Sequence, residues 1–215
     1  MRQTLGAVEA AAFVLALRAR GVRDPAVLGA MERVPRERFA PPALRAWARR
    51  DLALPLPCGQ TMTAPSVVAA MLTALDPPRG ARALEVGTGS GYATALLLRL
   101  GCASVESLER YAGLAEAAAR RLDAEGFAAA SVVHADGCAP GEGAFDRILV
   151  NGVVPALPDA LLARLAPGGR LVGAVAGAGG ARLAVVERGE EGFGRRQPEP
   201  ALRLAPLTPG LAETL

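Results

Sequence analysis

The 215-residue chain contains no lysine, and only one histidine (His134), one asparagine (Asn151), one isoleucine (Ile148) and three cysteines. All 24 basic residues are therefore arginine, and alanine fills about a fifth of the positions, a bias of composition rather than a functional signal. A structural zinc site needs four close nitrogen or sulfur ligands. Cys58, Cys102 and Cys138 stand far apart and form no C-x-x-C pair, so no metal is expected. A Ser-His-Asp hydrolase would rest on His134 alone, and no G-x-S-x-G elbow accompanies it. His134 itself reads as a packed strand residue rather than a catalyst. The three cysteines read as small buried hydrophobes of a reducing cytoplasm. No basic segment followed by an apolar core opens the chain, and no apolar run reaches the roughly 18 residues of a membrane span. A net charge of +3, evenly spread, does not call for nucleic acid. These absences predict a soluble cytoplasmic protein with neither nucleic acid nor membrane as partner; a monomer is expected, although nothing in the sequence fixes the oligomeric state.

What is present is a globular texture: 51% hydrophobic and 21% charged residues, interleaved throughout. The length suits one domain with an extension. Residues 8–19 form an apolar helical run stopped by Gly21. Asp24-Pro25 is a cap followed by proline at the first helical position, predicting a helix to about Arg33. A third short helix holds Trp47. Between 51 and 63, Pro55, Pro57 and Gly59 break any regular element, leaving a long ordered loop of the kind that carries function. Thr63-Ala64-Pro65 reads as a second cap-and-proline start, for a helix to about Leu75.

Alternation then sets in. Strands are predicted at 82–86, 104–108, 131–134, 145–150, 170–175 and 182–187. Helices are predicted at 91–100, 111–125 and 158–165, with 203–207 as one more possible edge strand. Strands alternating with helices specify a doubly wound, mostly parallel α/β sheet. The expected organisation is an N-terminal helical and loop segment, 1–62, joined to a Rossmann-like body, 63–215, as one compact unit.

The strongest motif is Glu85-Val86-Gly87-Thr88-Gly89-Ser90-Gly91-Tyr92, between a strand and a helix. Glycines there let the backbone turn sharply and approach a ligand closely. Dinucleotide folds use G-x-G-x-x-G to set a pyrophosphate on the helix N-terminus. Here the spacing is G-x-G-x-G, with a carboxylate two positions earlier. Glu85 is wrong for a pyrophosphate and suits the ammonium and sulfonium end of S-adenosylmethionine. Glu109, at the end of the next strand, could accept from both ribose hydroxyls. Asp136-Gly137, after the strand ending at His134, stands where an adenine amino group could be read.

These residues resemble the protein-L-isoaspartate O-methyltransferases over essentially the whole chain. The likeness begins at Val34-Pro35-Arg36-Glu37-Arg38-Phe39-Ala40-Pro41 and runs through the glycine loop and Ser107-Leu108-Glu109-Arg110. It continues through Asp136-Gly137, residues 145–150, residues 167–172 and Pro206-Leu207-Thr208. The glycine loop alone marks a general methyltransferase; the N-terminal segment and Gln60-Thr61-Met62-Thr63-Ala64-Pro65 narrow it to this family. The resemblance implies S-adenosylmethionine as cofactor and damaged proteins containing L-isoaspartyl, often also D-aspartyl, residues as substrates. Methylation of the free carboxyl gives an ester that cyclises to a succinimide, which opens partly to normal aspartate. It also implies that Thr63 is the counterpart of the family's active-site serine. Gln60, Thr61, Met62 and Thr63 would close over the cofactor. Glu85, Gly87, Thr88, Gly89, Ser90, Gly91, Glu109, Arg110, Asp136 and Gly137 would hold it, and Thr208 would reach it from the C-terminal segment.

A carboxylate is already ionised at neutral pH, so the reaction needs alignment and desolvation more than a base. A hydroxyl at position 63 would then donate a hydrogen bond that orients the acceptor. Three positions depart from the family pattern, all on the acceptor side: Thr63 for serine, Pro57 where the loop has glycine, and Asn151-Gly152-Val153 where Thr-Ala-Ala is usual. They leave open a relative that methylates another carboxylate or a small molecule, or one that binds the cofactor without turnover.

Overall fold

The computed structural model describes residues 2–196 and 201–212. Four helical pieces open the described chain: α1 (Arg2–Ala19), α2 (Pro25–Arg33), α3 (Arg36–Phe39) and a 3-10 turn at Pro42–Trp47. Asp24 caps α2 by accepting from Ala26 N and Val27 N, as its sequence predicts. The breaker-rich stretch is not a plain loop. Its ends pair as a minimal hairpin, β1 (Leu54–Pro55) with β2 (Thr61–Met62).

Helix α4 (Pro65–Leu75) follows, with proline in its first turn as expected but with Ala64, not Thr63, at the cap position. The missing side-chain cap comes from further up the chain. Asp51 accepts from Ser66 N at 2.8 Å and Ser66 Oγ at 2.9 Å. The body then alternates through β3 (Arg82–Val86), α5 (Tyr92–Leu100), β4 (Ser104–Glu109), α6 (Ala112–Ala124), β5 (Ala130–His134), β6 (Phe145–Val154), α7 (Asp159–Ala163), β7 (Leu165–Val175), β8 (Ala181–Gly189), β9 (Gly192–Arg196) and β10 (Ala201–Leu202). The anticipated edge strand at 203–207 is instead a single bridge of Pro206 to Val153, after the two-residue β10.

The sheet runs β10-β8-β7-β6-β3-β4-β5, with β9 also on β8. Strands β5, β4, β3, β6 and β7 are parallel, and β8 is antiparallel to β7. Successive residues of a strand face opposite sides. Ala83, Leu149, Val172 and Val185 accordingly join the core packed under α2, α4 and α5, while Leu84, Ile148, Leu171 and Val186 join the core under α7. Burial on both faces is what a parallel sheet requires. From β3 the chain winds outward to β4 and β5, then returns to place β6 on the other side of β3. Strand order reverses between β3 and β6, and in open α/β sheets ligands bind beyond the carboxyl ends of the strands at such a reversal.

Candidate active site

The glycine loop leaves β3 at this reversal. Gly87, Gly89 and Gly91 all have positive φ (+92°, +54° and +85°), a region where side chains are strained. The loop is tied to β4: Gly87 N and Thr88 N donate to Leu108 O at 2.8 and 3.3 Å, and Gly89 N donates to Glu109 Oε2 at 2.8 Å. Glu109 Oε1 accepts from Tyr111 N at 3.1 Å, which fixes the buried carboxylate in the wall of the crevice.

Glu85 does not reach that crevice. It is wholly enclosed beneath the loop, where Oε2 accepts from Thr94 Oγ1 and, at 2.8 Å, from Ser107 Oγ. Ser107 has one proton and gives it to Glu85, so at 2.6 Å it accepts from Thr88 Oγ1. Burial raises the Glu85 pKa to about 7 against the hydrogen bonds of Thr94 and Ser107; the Glu109 charge adds to the rise and the nearby Asn151 amide opposes it. In this position Glu85 ties β3 to α5 and β4 beneath the loop. Gly91 also stays out of the crevice. It serves packing, since a Cβ there would meet Leu122 Cδ1 at 3.3 Å.

The segment after β5 folds back over the end of β3. A Cβ at Gly137 would lie 2.2 Å from Val86 Cγ1, so glycine is needed for this close approach. Asp136 Oδ1 accepts from Cys138 N at 2.9 Å, holding the turn that carries its carboxylate. The opposite wall is the C-terminal segment. Val153 N donates to Ala205 O and Leu207 N to Val153 O, at 2.9 and 2.8 Å. Arg110 Nε donates to Gly210 O at 2.8 Å, and its guanidinium lies over the Tyr111 ring.

The fourth wall is the β1–β2 hairpin. Its turn carries Cys58 and Gly59, both at positive φ (+61° and +64°), with Gln60 N donating to Pro57 O at 3.2 Å. Both central residues are left-handed, as in the mirror-image turns that suit hairpins. Pro57 stands exposed at the first position of this turn, and Gln60 O accepts from Leu56 N at 2.8 Å. Behind the hairpin Arg36 is buried and donates to four carbonyls, Ala48 O, Leu52 O, Met62 O and Thr63 O, at 2.6–3.3 Å. Burial lowers its pKa to about 10, so it remains charged at neutral pH. Thr63 is buried, and its hydroxyl donates to Asn151 Oδ1 at 3.2 Å, while Asn151 Nδ2 donates to Gly87 O at 3.3 Å.

These walls enclose a crevice of about 870 Å³, including solvent at its mouth. Gln60, Thr61, Met62, Thr63, Gly87, Thr88, Gly89, Ser90, Glu109, Arg110, Asp136, Gly137 and Thr208 all line it; Glu85 and Gly91 do not. Sequence reasoning missed the apolar walls Val86, Leu108 and Leu207, and it noted Asn151 only as a departure. His134, expected to be packed, is exposed on edge strand β5, with Nε2 at 3.0 Å from Arg110 O. Of the cysteines only Cys102 is buried, and burial raises its thiol to about 11.

The donor set fits a nucleoside with a polar tail: two carboxylates for hydroxyl and amino donors, apolar walls for a base, and a backbone cradle. A pyrophosphate would face Glu109 and Asp136 with Arg110 already engaged by Gly210 O. Among the described residues no group of three or more His, Cys, Asp or Glu side chains gathers as metal ligands, and no helix is long and apolar enough to cross a membrane.

Residues 8–211 match the family described as Protein-L-isoaspartate(D-aspartate) O-methyltransferase. The chain is 46% identical over 206 residues to Protein-L-isoaspartate O-methyltransferase 2 of Rhodopseudomonas palustris (strain HaA2), covering 94% of each. It is 44% identical over 206 residues to Protein-L-isoaspartate O-methyltransferase of Bradyrhizobium sp. (strain BTAi1 / ATCC BAA-1182), covering 94% of this chain and 95% of that one. Its fold is similar to a Plasmodium falciparum structure described as a protein-L-isoaspartate O-methyltransferase in complex with S-adenosyl-L-homocysteine. The TM-score is 0.80 at 22% identity, over 92% of this chain and 97% of that one.

Proposed function

The chain belongs to the protein-L-isoaspartate(D-aspartate) O-methyltransferase family, and from that premise we infer that it transfers a methyl group from S-adenosylmethionine to the free carboxylate of L-isoaspartyl residues in damaged proteins. The methyl is supplied on a positively charged sulfur; a carboxylate oxygen takes it, the carbon–sulfur bond breaks, and S-adenosylhomocysteine and a methyl ester result. The observation that carries the reading is the convergence of four separate segments on one crevice: the glycine loop, the ends of β4 and β5, the hairpin, and the C-terminal segment.

We assign Glu109 to the ribose hydroxyls, with Asp136, Val86 and Leu108 around the base and the glycine backbone along the tail. The hairpin residues Gln60 to Thr63 stand over the methyl end and exclude water from it. Because the acceptor is ionised at neutral pH, the protein's task is to align it and strip its water, and no general base is required. Since one chain supplies every wall of the crevice, we propose that the enzyme works as a monomer, and the three unpaired cysteines support a reducing, cytoplasmic setting. Light scattering tests the first of these.

The deciding experiment offers labelled S-adenosylmethionine to a short L-isoaspartyl peptide and to its normal-aspartyl counterpart. Base-labile label on the isoaspartyl peptide alone is expected. No label, with S-adenosylhomocysteine still stabilising the fold, would mean that the acceptor is another carboxylate or that no turnover occurs.

A further inference from the structure

Two of the family departures, Thr63 and Asn151, lie 88 positions apart in sequence and meet in one hydrogen bond. The direction of that bond follows from its surroundings. Gly87 O can only accept, so the carboxamide atom 3.3 Å from it must be Nδ2. Oδ1 therefore faces Thr63, and an oxygen that only accepts leaves the hydroxyl as donor. A hydroxyl has a single proton, so Thr63 cannot also donate to an acceptor carboxylate.

We propose that Asn151 is the positioning residue for Thr63, taking its proton and turning the hydroxyl so that only lone pairs face the crevice. This rests on the methyl-transfer reading above and reverses the role expected from sequence. Lone pairs repel a carboxylate but complement the partial positive charge of a methyl group on a sulfonium. Thr63 thus favours the donor's methyl rather than the acceptor.

Three further features hold this arrangement. The Thr63 carbonyl accepts from Arg36 at 3.0 Å, so both ends of the residue are fixed. Its β-branched side chain is stiff about χ1. On the other side, the register of β6 against β7 shifts between Leu149 and Val153, an irregularity of the kind that re-aims a side chain, and Asn151 lies within it.

Asn151 is the only asparagine in the chain, so protein carrying labelled asparagine nitrogen has a single carboxamide NMR signal pair. Slowed water exchange of this pair is expected, and Thr63→Val should shift it. A pair that exchanges as fast as a free carboxamide, or one that ignores Thr63→Val, would overturn the proposal. In kinetics on the isoaspartyl peptide, Asn151→Leu should lower kcat about tenfold with KM and S-adenosylhomocysteine affinity held within about twofold. Adding Thr63→Val to that variant should cost less than about twofold more, because paired residues act as a unit. Multiplying losses, or an equal fall in S-adenosylhomocysteine affinity, would reject it. If the wild type labels no isoaspartyl peptide, the substrate reading fails, while the carboxamide spectrum still decides the role of Asn151.

Discussion

Two carboxylates of the same loop region are both buried, but only Glu109 lines the crevice. Glu109 sits at the crevice with both oxygens already accepting backbone N–H groups, from Gly89 and Tyr111. An amide in its place can accept through one oxygen only, so Glu109→Gln both loosens the glycine loop and loses charge-assisted bonds to a diol. Hydrogen bonds to charged groups are worth about 1.5–3 kcal/mol, which predicts S-adenosylhomocysteine affinity about 10–100-fold weaker by calorimetry. Affinity unchanged by that substitution would remove Glu109 from the ligand. Glu85, by contrast, is enclosed, with its pKa raised by burial to about 7. Between the ordinary carboxylate value and that point the folded protein keeps a proton that the unfolded chain has released. Stability is therefore greatest below this window and falls as pH rises through it. Glu85→Gln should flatten that fall, checked by urea midpoints at about pH 5 and about pH 8; an equally steep fall in the variant would assign the pH dependence to other groups. The sequence motif placed a carboxylate beside the glycines correctly, but whether it faces ligand or core depends on the strand's pleat and on Thr94 and Ser107, which no spacing rule connects to it.

At the scale of elements, the N-terminal segment explains why a signature so far from the glycine loop belongs to the same site. Arg36 is the link between α3 and the hairpin, holding the carbonyls of Met62 and Thr63 from behind. Arg36→Met leaves buried carbonyls without donors, at a cost of about 1–3 kcal/mol, and frees Thr63. Both melting temperature and kcat should fall. Arg36→Lys should rescue little, since a compact ammonium cannot span four carbonyls as a planar fork does. Activity retained in Arg36→Met would separate hairpin order from catalysis. Periodicity made the parallel strands and their helices legible, because both are set by local pattern and by two-sided burial. The hairpin, β9 and the Asp51 cap were not legible. Each depends on a partner distant in sequence, and Pro55, Pro57 and Gly59 mask a strand pair only two residues long. Asn151 was visible as an oddity, yet its meaning required knowing that β6 carries it to Thr63.

For the whole molecule, the crevice is also where the parts of the chain are joined. Residues 60–62 come from the N-terminal segment, 63, 86–90, 92–93 and 108–110 from the body, and 205–208 from the C-terminal segment. The core beneath is continuous across the same divisions, running from Phe13 and Met31 through Leu96 and Leu149 to Leu202. A ligand held by residues of every segment stabilises all of them together. We therefore propose that residues 1–62 and 63–215 unfold as one cooperative unit, not as an extension that peels away from a stable body. S-adenosylhomocysteine at about 100 times its Kd should add about 2.7 kcal/mol to that single transition and move it upward without splitting it, whereas NAD should leave it in place. Calorimetry checks both claims at once. A low-temperature step unaffected by S-adenosylhomocysteine would show that the N-terminal segment folds independently of the site. The hairpin would then be a mobile cover, and the hold of Arg36 on Thr63 too weak to couple the two.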